Sequence, residues 1–163
     1  RIAQEYGAPS RIVEAVVEVN ASQKARMVAK IRDALGGCEA DKTVAVLGLT
    51  FKPETDDMRE APSLAILPAL TDRGAHVKAH DPQGANEAKT LLPPCIQYCD
   101  DIYETVRGAD AIVLMTEWNQ YRALDLKKVK DIMNGNVFLD LRNVYEPAAM
   151  NDAGFAYVCI GRS

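Results

Sequence analysis

"TVAVLGLTFKPETDDMREAPSLAILPALTDRGAHVKAHDP", residues 43 to 82, decides how this chain folds. "TVAVLGL" is apolar without alternation, which suits a strand buried on both faces. "SLAILPALTDRGA" reads as a helix that Gly74 ends, and "HVKAHDP" as a second strand stopped by Asp81-Pro82. Strand, helix and strand in succession predict a βαβ unit, the building block of a parallel sheet. Pro68 lies inside the helical pattern, where its missing N–H predicts either a kink or a separate first turn.

Downstream the alternation continues. A short strand is expected at "CIQYC", a helix at "DDIYETVRGAD", a strand at "AIVLMTEW", a helix around "LDLKKVKDIMN", a strand at "VFLDL" and a last one at "AYVCIG". The fold class is therefore α/β, a Rossmann-like parallel sheet with helices on both faces. Upstream, "SRIVEAVVEVNASQKARMVAKIRDALGG" places Ser10 as an N-cap and Ile12, Val16, Val19, Met27, Ile31 and Leu35 along one stripe, with Gly36-Gly37 as the stop. Such a long helix before the first strand either bridges two domains or meets a partner subunit, or else lies across the domain that follows. The expected boundaries are a linker and dimerisation region over residues 1–40 and a ligand-binding domain over 41–163.

Composition bounds the function. With 48% hydrophobic residues and 26% charged, the chain is neither disordered nor membrane-embedded, and its formal net charge of −4 lacks the basic excess that nucleic-acid surfaces need. The sequence contains no apolar run of spanning length and no secretory signal pattern, so a cytoplasmic protein is expected. Cys38, Cys95, Cys99 and Cys159 read as reduced thiols. Cys95 and Cys99 have no second ligand pair, and His76 and His80 no third ligand, so no metal is expected.

Ligands of parallel sheets bind beyond the carboxyl ends of the strands. Three such ends carry polar groups here: Thr50, Lys52, Thr55, Asp56, Asp57 and Arg59 after the first strand; Thr116, Glu117 and Trp118 after the strand at 111–115; Arg142 and Asn143 after the strand at 137–141. A lysine and two arginines aimed at one crevice predict an anionic ligand, since ammonium and guanidinium groups match phosphate and carboxylate oxygens. A plain structural role is also open: Asp56 or Asp57 caps the next helix, or Arg59 pairs with one of them. Gly48 alone is no dinucleotide fingerprint, because the further glycines that admit a pyrophosphate are absent. Trp118 and Tyr121 are expected to pack, and Asp81 to form a turn with Pro82 rather than to bind a ribose.

Together, "VAVLGLTFKPETDDMREAPSLAILPAL", "AHDP", "TEW", "FLDLRNVYEP" and "YVCIGR" resemble the C-terminal domain of the UDP-glucose/GDP-mannose dehydrogenase family, and "VVEVNASQKARMV" its linker helix. The resemblance covers nearly the whole chain in order and is strongest to bacterial UDP-glucose 6-dehydrogenases. It implies oxidation of a nucleotide sugar's C6 alcohol to a carboxylate by two NAD through a cysteine thioester, and a homodimer formed through the first helix. It assigns Lys52, with Phe51 beside it, and Arg142 to the UDP-sugar, and Arg59 to NAD. The family's glycine fingerprint and "GGSC"-type nucleophile motif do not occur here. The resemblance therefore implies a fragment without catalytic residues, inactive alone, whose partner is an N-terminal catalytic domain.

Overall fold

The computed structural model describes residues 11–161. Strand β1 (Thr43–Leu47) buries Val44 to Leu47 completely. It sits at the centre of a six-stranded, wholly parallel sheet with β2 (His76–His80), β3 (Gln97–Tyr98), β4 (Ala111–Leu114), β5 (Val137–Asp140) and β6 (Ala156–Cys159), in the order β3-β2-β1-β4-β5-β6. The chain builds outward from β1 to β3, then returns to lay β4 on the other side of β1. This reversal creates the switch point at which parallel sheets open a crevice beyond their carboxyl ends.

Alternation along the strands divides the core. Val44 and Val46 face helices α1 (Arg11–Ala34), α2 (Ser63–Thr71) and α3 (Ala85–Leu91) through Ile31, Ile66, Leu67, Leu70 and Ala88. Ala45 and Leu47 face α4 (Ile102–Val106), α5 (Asn119–Arg122), α6 (Leu126–Ile132) and α7 (Pro147–Asp152) through Val106, Tyr121, Val129 and Met150. Helices thus cover both faces, as the continuous apolar strands require.

The strands fall where the apolar runs put them, while the helices depart from expectation in three ways. Helix α2 runs unbroken through Pro68, so a separate first turn does not form. Helices α3, α5 and α7, of seven, four and six residues, were not foreseen, and none of them has a side-chain N-cap. Only the second half of α1 packs on the domain, with Ile31 buried and Met27, Val28, Ala34 and Leu35 partly so. Ile12, Val13, Val16, Val17 and Val19 are all exposed. The expected N-cap, Ser10, lies outside the described residues. At the other end the Gly37 amide donates to the Arg32 carbonyl at 2.9 Å, and Gly36 and Gly37 take positive φ, which closes the helix as Gly-Gly predicts.

Candidate functional site

The turn after β1 is built around a carboxylate. Asp81, at the carboxyl end of β2, is buried. Its Oδ2 accepts the amides of Leu49 at 2.6 Å and Thr50 at 3.2 Å, and the Thr50 hydroxyl at 3.3 Å. Its Oδ1 accepts the amides of Gln83 at 3.0 Å and Gly84 at 2.7 Å. In a dinucleotide fold the amides of this first βα turn face a pyrophosphate. Here the carboxylate of Asp81 already occupies them.

The crevice itself is closed by side chains. Gly48 (φ +88°) comes so near β4 that a Cβ on it would lie 2.5 Å from Thr116 Cβ and 2.7 Å from the Thr116 nitrogen. The Thr116 hydroxyl donates to the Thr50 carbonyl at 2.7 Å, and the Ser63 hydroxyl to the Leu49 carbonyl. Gly48 thus serves a close backbone approach rather than a phosphate. The turn does not fit the pyrophosphate of NAD, and no cofactor step is assigned to it.

At the rim stand Lys52 and two arginines, each arginine paired with a carboxylate. Phe51 and Lys52 follow the fixed turn and are exposed, Phe51 by 51% of its surface. Beyond them Arg59 is held by Asp57: Nε and Nη2 donate to Oδ1 and Oδ2 at 3.0 and 2.8 Å, and the Arg59 amide also donates to Oδ1. The bonds from Arg59 draw the Asp57 carboxyl down to about 2. The pairing reading of this loop is therefore correct, and Asp57 does not cap α2, whose N-cap position is Pro62 with no side-chain cap. Asp57 and Arg59 line an open groove of about 660 Å³ with Leu64, Glu87 and Leu91.

Arg142 stands elsewhere on the rim. The loop after β5 is set by Asp140, fully buried, whose Oδ1 accepts the Arg142 amide and whose Oδ2 accepts the Val144 and Tyr145 amides and the Tyr157 hydroxyl. Asn143, at φ +55°, clasps the Ile160 backbone with both ends of its amide. The Arg142 guanidinium meets Glu117 through two parallel bonds, Nε to Oε2 and Nη2 to Oε1. Those bonds hold the Glu117 carboxyl below its usual range and raise Arg142 above its own.

The loops after β1 and β4 are tied together by the Thr116–Thr50 bond, and Glu117 ties the loop after β4 to Arg142, while Lys52 acts electrostatically on Asp57 and Arg59 lines a groove against α3. Trp118 and Tyr121 are buried at 3% and 0% exposure, so both pack as expected and neither offers a wall for a base. Tyr121 Oη lies 2.8 Å from His80 Nδ1 and donates to the His80 carbonyl. Asp81 belongs to a turn, but as its organiser. That role was hidden in the sequence, since the carboxylate and the amides it binds are 31 and 32 residues apart.

A six-stranded parallel sheet with helices on both faces and a sealed first turn defines a Rossmann-like α/β domain. The chain belongs to the UDP-glucose/GDP-mannose dehydrogenase family, whose UDP binding domain model matches residues 45–147. Across 99% of its length it is 43% identical to the UDP-glucose 6-dehydrogenase of Rhizobium meliloti (strain 1021), covering 37% of that protein. To the UDP-glucose 6-dehydrogenase TuaD of Bacillus subtilis (strain 168) it is 39% identical, over 99% of this chain and 35% of that one. A solved UDP-glucose dehydrogenase from the hyperthermophilic archaeon Pyrobaculum islandicum superimposes with a TM-score of 0.72 at 32% identity, over 86% of this chain and 31% of that one. The chain thus spans little more than a third of the length of the curated relatives it matches, in their C-terminal part.

Proposed function

We propose that this chain is the nucleotide-sugar-binding C-terminal part of an NAD-dependent UDP-glucose 6-dehydrogenase, which converts UDP-glucose to UDP-glucuronate with two hydride transfers to NAD. Residues 41–163 form the UDP-sugar-binding domain, and residues 1–40 the linker and dimerisation region. Lys52, flanked by Phe51, and Arg142 meet the UDP-sugar; Arg59 reaches NAD, which the N-terminal catalytic domain holds. The thioester-forming cysteine also belongs to that domain, so this chain contributes binding and no chemistry. The observation that carries the reading is the placement of Lys52 and Arg142 on loops flanking the β4 end, with the loop amides of Leu49 and Thr50 already bonded to Asp81. With those amides taken, a diphosphate is left to side-chain cations.

Three further points belong to the same reading. The exposed apolar residues of α1 support a homodimer formed through that helix. No described helix is long and apolar enough to cross a membrane, and a cytoplasmic enzyme is the setting in which NAD and sugar nucleotides meet. Substrate choice rests on likeness to relatives named for UDP-glucose.

The test is spectrophotometric. The full-length protein should form NADH from UDP-glucose, and the isolated chain should not; steady turnover by the isolated chain would contradict the division of labour. Faster NADH formation with UDP-N-acetylmannosamine or GDP-mannose would keep the family and change the substrate. Lys52→Glu in the full-length enzyme should raise KM for UDP-glucose, and unchanged kinetics would remove Lys52 from the site.

A further inference from the structure

The side edge of Arg142 is occupied and its end edge is not. A guanidinium has five N–H donors in a rigid plane, and it can present two parallel pairs: Nε with Nη2 along its side, Nη1 with Nη2 across its end. Glu117 takes the side pair. No other described residue accepts a hydrogen bond from the group, and 38% of the side chain is accessible to solvent. The end pair therefore stays open to a second anion, and two parallel donors are the arrangement that binds phosphate oxygens in pairs.

Both partners are anchored before any ligand arrives. Glu117 lies between Thr116, whose hydroxyl is tied to Thr50, and the buried Trp118. Arg142 is fixed at its amide by Asp140, and its neighbour Asn143 is fastened to Ile160. A long side chain that would otherwise sample many rotamers is thus held in one orientation, which removes an ordering cost from binding. The pair of Asp57 and Arg59 has the same side-on geometry, but 89% of the Arg59 side chain is exposed against 38% of Arg142.

We propose that Glu117 is a positioning residue for the nucleotide sugar: it grips the Nε–Nη2 edge of Arg142 so that the Nη1–Nη2 edge is presented to a phosphate of the ligand. The inference rests on the reading that Arg142 meets the UDP-sugar. It also runs against simple electrostatics, because a carboxylate beside a phosphate site should weaken anion binding if it did nothing else.

Titration calorimetry of the full-length protein with UDP separates the two. Arg142→Ala should weaken UDP binding at least about tenfold. Glu117→Ala should weaken it about three- to tenfold through lost preorganisation. Glu117→Gln, nearly isosteric and keeping one acceptor, should fall between Glu117→Ala and the wild type. The double variant should bind no more weakly than Arg142→Ala, because Glu117 acts only through Arg142. A merely structural Glu117 would instead lower affinity again in the double variant, and that result overturns the proposal. So does wild-type or tighter binding by Glu117→Ala when Arg142→Ala is weakened. If Arg142→Ala binds like the wild type, or the wild type takes up no UDP, the underlying reading falls first and the proposal with it.

Discussion

The carboxylate of Asp81 accepts the Leu49 amide at 2.6 Å, placing an internal anion where a dinucleotide fold would place a pyrophosphate. The same side chain satisfies the amides of Thr50, Gln83 and Gly84. Asp81→Ala should leave several buried donors unpaired at about 1–3 kcal/mol each, so a loss of about 3–5 kcal/mol is expected in urea denaturation. Asp81→Asn, which keeps one acceptor oxygen, should lose less.

Gly48 is held by steric closeness as well as by backbone conformation. A Cβ there would meet Thr116 Cβ and backbone at 2.5–2.9 Å, and φ is +88°. Gly48→Ala should destabilise the domain by about 3 kcal/mol or more, read as a lowered midpoint in chemical denaturation. Thr116→Ser should not rescue it, since the Thr116 nitrogen, Cα and Cβ all remain in the way.

His80 gives the fold a pH dependence. Burial lowers its pKa and prevails over the opposing carboxylates of Asp81, Asp100 and Asp101 and a hydrogen bond to the Asp100 backbone carbonyl. The folded state thus binds fewer protons than the unfolded state below the ordinary value near 6.5. Its stabilising contribution is complete above that pH and is lost as pH falls toward the lowered folded value. The sequence has two histidines, and His76 is exposed. Stability should fall between pH 6.5 and 5.5 with a slope of at most about 1.4 kcal/mol per unit from this group, and His80→Gln should flatten the slope.

Helix α1 presents Ile12, Val13, Val16, Val17 and Val19 to solvent. If this face joins two copies, Val13→Glu with Val16→Glu should convert a dimer of the full-length protein to monomer in light scattering. The domain's own denaturation midpoint should stay unchanged, because both side chains are already exposed. A variant that remains dimeric would remove α1 from the interface.

The strands were legible because β1, β4 and β5 are short runs of buried apolar residues, a pattern that surface segments do not show. Lys52, Arg59 and Arg142 were legible as strand-end cations because the order of elements places those loops at one end of the sheet. The partner of Arg59, Asp57, was legible as well, being two residues away, but the partner of Arg142 was not. Glu117 and Arg142 are 25 residues apart, and Asp81 reaches amides more than 30 residues away, so register and crossover must exist before either contact can be seen. Helices α3, α5 and α7 escaped although α4 and α6 are as short; α4 and α6 each start on an aspartate that caps the first turn, Asp101 or Asp125, and the other three have no side-chain cap. The expectation that both arginines share one crevice neglected that the long loop after β1 carries Arg59 toward α3.

The central claim is that side-chain cations, rather than turn amides, bind the diphosphate of a nucleotide sugar. A crystal structure of the full-length protein with UDP-glucose tests it most directly. The account predicts diphosphate oxygens within hydrogen-bond distance of Lys52 Nζ or the Arg142 guanidinium, with Asp81 still bonded to Leu49 and Thr50. A diphosphate seated on the amides of Leu49 and Thr50, with Asp81 displaced, would contradict it.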